Sequence, residues 1–251
     1  MKKLIDNRKK ELITEVENIA RNFRREHINI CQAPIPNSFK VAEELGFFVV
    51  SASAPNELSG FTTTIDGKSM IVVNSNHPLG RQNYSIWHEI YHWYAKDGKD
   101  VSLMGDNEYS ETEFKAEAFA SEILLEKKVL ERELQNLGYK SISKNHMKYL
   151  KNEDIVKLQN KFKVSYRAML TRIITISGNK DINNRYGVAA SQEKIIQFNI
   201  KCGFDGGLEQ PTLKPYISES LFEYLTFNLE KGRVSSIHVE RFIEFIEGEI
   251  N

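Results

Sequence analysis

The chain has little cysteine: Cys31 and Cys202 are the only two in 251 residues, and they are far apart in sequence. A secreted disulfide scaffold would carry more, so a reducing, cytoplasmic setting is the expectation. Long apolar runs are also missing. No window approaches the roughly 20 apolar residues of a membrane span. The basic start, "MKKLIDNRKKELITEVENIA", is followed by no apolar stretch and reads as an amphipathic helix rather than a signal peptide. Neither charge is in excess, with 34 Lys+Arg against 34 Asp+Glu. A balanced chain gives no broad electrostatic footprint for nucleic acid or membrane, so direct nucleic-acid binding is not expected. Internal repeats and low-complexity tracts are absent too.

What is present reads as a mixed fold with helix in the majority. Leu12, Ile13, Val16, Ile19, Ala20 and Phe23 recur at helical spacing over residues 8–26. "APIPN" interrupts the pattern, and Asn37 or Ser38 can cap a short helix that ends at Gly46. "FFVVSAS" reads as a strand, and "LSGFTTTIDGKSMIVVN" as two strands joined at Asp66-Gly67. A helix over "GRQNYSIWHEIYHWYAKDG", a surface loop over "KDVSLMGDNEYS" and a long helix over "ETEFKAEAFASEILLEKKVL" follow. Several short helices fill 141–177, "SGNKDINNRYGVAASQE" reads as a loose linker, and two helices flank "KGRVSS" near the end.

The chemistry is concentrated in "IWHEIYHWYA". His88 and His92 stand four residues apart, so a helix puts both imidazoles on one face, one turn apart. Two nitrogens so placed can reach one zinc ion at about 2.0–2.1 Å. Glu89 lies about 100° round the helix, off that face. It can hold a water and take its proton, the division of labour in His-Glu-x-x-His zinc peptidases. Ile86, Trp87, Ile90, Tyr91, Trp93 and Tyr94 surround these groups, so the helix is predicted to be buried. Burial of three ionisable groups is costly unless they are paired or bind a metal.

A catalytic zinc needs a third protein ligand. The next long helix offers Glu113 and Glu117, again four apart, with Ala116 and Ala120 small enough to let it approach. One carboxylate can bind the ion. The other can accept a hydrogen bond from a ligand imidazole and fix its tautomer.

At this point the sequence resembles the ImmA/IrrE family of metallopeptidases over roughly residues 35–177. "IVVN" and "RQNYSIWHEIYHWY" are similar to the family's segment running into its His-Glu-x-x-His helix. "ETEFKAEAFASEILL" is similar to its glutamate-bearing helix, and "FKVSYRAMLTRI" resembles the segment that follows. Tyr91 stands where the family commonly has glycine, Glu117 where it has asparagine, and no proline follows "EILL". The resemblance implies an α+β fold: a mainly helical, zincin-like (gluzincin-like) domain with a small three-stranded sheet, plus a helical C-terminal region. It implies Zn2+ on His88, His92 and Glu113, Glu89 as the base, and Glu117 beside the ligands or as an alternative ligand. The implied activity is cleavage of a helix-turn-helix repressor in a bacterium, phage or mobile element. The alternative is a regulatory protein that sequesters a repressor or antitoxin without cutting it.

An oxyanion donor is also required. Tyr109, His146, Tyr139, Tyr149 and His77 are the available donors, Tyr109 and His146 being possible choices that the sequence alone does not single out. The expected division is 1–34 as an N-terminal helix and 35–140 as the zinc peptidase core. Residues 141–180 form a helix-turn-helix-like segment packed on the core, and 185–251 a helical region for substrate or partner recognition. "GFTTT" is a candidate sheet edge on which a substrate strand could add.

Overall fold

A computed structural model describes residues 2–65, 67–95, 101–103, 111–185, 187 and 191–247. Helix α1 (Lys2–Glu26) leads to α2 (Ser38–Glu44), which is capped by Asn37: its side chain accepts a hydrogen bond from Lys40 N. Strands β1 (Phe48–Ala52), β2 (Leu58–Ile65) and β3 (Lys68–Asn74) follow, then α3 (Leu79–Ala95) and the three-residue β4 (Val101–Leu103). Next come α4 (Glu111–Leu124), α5 (Lys127–Asn136), α6 (Lys144–Met147), α7 (Asn152–Phe162) and α8 (Tyr166–Ser177). The chain closes with α9 (Gln192–Lys201), β5 (Tyr216–Ile217), α10 (Glu219–Glu230) and α11 (Ser236–Glu247). Among the described residues no helix is long and apolar enough to cross a membrane.

The sheet runs β4-β2-β3-β1-β5, with β1 parallel to β3 and the other pairs antiparallel. The three strands read from the sequence are its centre, and two short strands extend it. The β2–β3 hairpin turns at Gly67, whose φ of +77° suits glycine; Asp66 lies outside the described residues. Both sheet faces are covered, which explains why every residue of β1 is buried. Val49, Ile71 and Val73 join the main core with α3. Phe48, Val50 and Met70 meet Leu221 and Ile246 of the C-terminal helices.

Three stretches differ from the sequence reading. Within the expected surface loop, Val101–Leu103 form a strand that pairs with β2 at Leu58, Gly60 and Phe61. That part of β2 is therefore interior, and the edge belongs to β4. The long helix expected from Glu111 ends at Leu124, and α5 starts at Lys127. The expected linker holds a 3₁₀ helix, Lys180–Arg185, with Ile182 buried.

The break after α4 is set by two arginines from elsewhere. The Arg24 guanidinium donates to the main-chain oxygens of Glu122 and Ile123, and to Cys31 O at 2.9 Å. Arg172 donates to Leu125 O at 3.0 Å and grips the Glu122 carboxylate with two bonds of 2.6 and 2.7 Å. These cations satisfy helix-end carbonyls that have no partner within the helix. Arg172 and Glu122 are only 7% and 12% exposed. Arg172→Met leaves that carboxylate buried without its partner, and a loss of about 3 kcal/mol in urea-denaturation stability is the expected result.

Candidate metal centre

Helix α3 crosses the inner face of the sheet, with α4 against its other side. Its apolar residues anchor it: Ile86, Trp87 and Ile90 are fully buried, and Trp87 Nε1 donates to Ser38 Oγ at 3.1 Å. Tyr91 turns inward, its ring 5.5 Å from that of Phe119 on α4. The large residue in a usual glycine position thus fills core between the helices. Phe119 in turn meets Phe23 of α1, so α1 braces the helix that carries Glu113.

With the helix so fixed, the Nε2 atoms of His88 and His92 converge to 3.2 Å. Glu113, in the first turn of α4, brings Oε2 to 3.2 Å from His88 Nε2 and Oε1 to 3.6 Å from His92 Nε2. One donor atom from each residue lies within 4.8 Å of the others. Two imidazole nitrogens and a carboxylate oxygen are the donor set of a catalytic zinc site with one position left open. The His92 side chain is 2% exposed, against 15% for His88 and 26% for Glu113, so the cluster opens to solvent along the last two. Burial alone would push the His88 imidazole down. The hydrogen bond to Glu113 and the charges of Glu89, Glu113 and Glu117 push it up instead.

Glu89 points off the histidine face, towards β2. It is 2% exposed, and burial pushes its carboxyl above the usual range. Oε2 accepts from Thr62 Oγ1 at 3.3 Å; Oε1 is buried with no hydrogen-bond partner among the described residues. Such an orphan oxygen signals a missing partner, and water is the simplest one. Gly60 lets β2 lie this close. A Cβ there would stand 3.6 Å from Glu89 Cγ and 2.8 Å from Val72 O. The second contact is with main chain, so Gly60→Ala is expected to cost about 2 kcal/mol in chemical denaturation.

The other sequence-derived candidates lie elsewhere. Glu117 is exposed, one turn further along α4, and is outside the three-residue cluster; its main-chain oxygen accepts from Tyr84 OH. His146 sits on α6, where its Nδ1 meets Ser141 Oγ and Ser143 Oγ at 2.8 and 2.9 Å. Tyr109 lies outside the described residues. Tyr139 OH donates to Asp154 Oδ2 at 2.7 Å. Tyr149 is 67% exposed. His77 Nε2 is 2.9 Å from Asn56 O. None of these contacts involves the cluster.

Sequence reading missed Gly60 and Thr62, which look like ordinary strand residues. It also missed Asn74. The Asn74 amide donates to the main-chain oxygens of Ala54, Pro55 and Leu58, and its Oδ1 accepts from Ala54 N and Asn76 N. That side chain fixes the loop feeding β2, and the strand-ending "IVVN" was its only trace.

A sheet backing a helix with two histidines one turn apart, closed by a glutamate from the next helix, defines a protein of the metallopeptidase type. The IrrE N-terminal-like domain family (Peptidase_M78) matches residues 42–173, more than half of the chain, and the chain belongs to it. No curated protein matches the chain. Membership makes this a peptidase-type, metal-using protein with a protein substrate.

Proposed function

We propose that the chain is a zinc endopeptidase in which His88 Nε2, His92 Nε2 and a carboxylate oxygen of Glu113 hold the ion. The observation that carries this reading is the convergence of those atoms within 4.8 Å on two packed helices. When bound, zinc supplies Lewis acidity, making water acidic near neutral pH and drawing charge from a peptide carbonyl. The chain's own groups do the rest. Glu89 takes a water proton at Oε1, the oxygen that has no partner among the described residues, and returns it to the leaving amide nitrogen. Buried beside β2 with Oε2 held by Thr62, Glu89 is placed to hold that proton between the two steps. Glu117, one turn along α4 with its charge raising the proton affinity of the His88 imidazole, would take the role beside the ligands or of an alternative ligand.

The substrate in this reading is a helix-turn-helix repressor in the cytoplasm of a bacterium, encoded there or by a phage or mobile element. The chain acts as an anti-repressor. The C-terminal helices serve recognition: Phe222, Phe227, Ile237 and Phe245 stand exposed on α10 and α11, more apolar surface than a solvated hairpin needs. The test is to purify the chain, measure zinc content and incubate it with the neighbouring repressor. One zinc per chain and cleavage that stops on chelation support the reading. Intact repressor with zinc present refutes it.

A further inference from the structure

Among the described residues Glu89 is tethered on one side only, and the tether comes from the sheet. Thr62 stands on β2 opposite Ile71, on the face that α3 covers, and is 8% exposed. Its hydroxyl lies 3.3 Å from Glu89 Oε2 and 3.4 Å from Glu89 O. Both distances are long for a hydroxyl bond, and one proton serves both acceptors. Such bonds commonly tighten only once the reacting groups are in place. Next to Thr62 on this face, Val49, Ile71 and Val73 belong to the main apolar core. A valine would pack there with equal strand preference. A buried hydroxyl needs a partner, and among the described residues both hydrogen bonds of this one go to Glu89.

We infer that Thr62 is a positioning residue: its hydroxyl fixes Oε2 of Glu89, so that Oε1 is the oxygen presented for proton transfer. The inference rests on Glu89 being the base. A glutamate carboxyl has a broad, roughly two-fold terminal torsion, so its two oxygens exchange places unless one is held. The proton balance is simple. Oε1 gains a proton from water and loses it to the leaving nitrogen, while Thr62 neither gains nor loses one.

The test uses the full chain with Thr62→Val, which removes the hydroxyl, and Thr62→Ser, which keeps it. Three readouts are taken: zinc affinity, kcat and KM on fluorescein-labelled casein, and crystal structures of each variant. Thr62→Val is expected to lower kcat about tenfold with KM and zinc affinity unchanged, and Thr62→Ser to stay within about threefold of the parent. Crystals of Thr62→Val should show the Glu89 carboxyl in more than one orientation. An unchanged kcat in Thr62→Val, an equal loss in Thr62→Ser, or one unchanged Glu89 orientation overturns the inference. If the parent chain binds zinc but cleaves neither casein nor the repressor, the base assignment falls, and the crystal comparison alone decides whether Thr62 holds Glu89.

Discussion

Glu89→Gln is expected to abolish cleavage, with a loss of at least about a thousandfold in kcat, while zinc binding stays intact. The amide matches the carboxylate in size, and Thr62 still finds an oxygen to donate to. Its nitrogen cannot take a proton from water. The position does not belong to the His88–His92–Glu113 cluster, so the site itself is untouched. The informative experiment is co-expression of parent and variant with a helix-turn-helix repressor of the proposed substrate class. Cleavage by the parent and an intact repressor with the variant establish the peptidase reading. Equal derepression by both, with the repressor uncut, would mean that the chain works by sequestration.

Glu113→Ala is expected to weaken zinc binding at least about a hundredfold, because two imidazoles alone make an incomplete shell. Glu117→Ala should stay within about tenfold of the parent, as befits a residue that acts on a ligand rather than on the ion. Competition with a chromophoric chelator measures both. Thermal denaturation gives a second reading. Zinc at about a hundred times its Kd adds about 2.7 kcal/mol of stability to a chain that binds it folded, and Glu113→Ala should lose that increment. Full affinity in Glu113→Ala with loss in Glu117→Ala would exchange their roles. The geometry bears on the choice: Glu113 brings oxygens to 3.2 and 3.6 Å from the two imidazoles, while Glu117 is exposed one turn away.

The sequence was most readable where the cause of structure is local. The His88–His92 pair declares itself by helical spacing, the β2–β3 hairpin by its glycine turn, and α2 by Asn37. The end of α4 could not be read in this way. "ILLEKKV" contains neither glycine nor proline, and the helix stops there because Arg24 and Arg172 take its last carbonyls from a distance. Strand β4 has three residues and β5 has two, too few to carry a pattern, and both exist only through their pairing with β2 and β1. In the site, the groups with metal-binding chemistry were visible by type. Thr62 and Gly60 were not, because their role comes from the distance between a strand and a helix.

The way the tail is woven into the rest has a consequence for inheritance. Glu209 accepts from Tyr166 N at the start of α8, Leu79 N donates to Gln210 O at the start of α3, and Gln82 donates to Thr212. Ser218 Oγ then accepts from Val49 N on β1. Residues beyond the family match therefore complete both the histidine helix and the central sheet. A recombination that swaps tails between relatives must keep these contacts or forfeit the fold, so the tail is constrained to evolve together with the histidine helix and the sheet it completes.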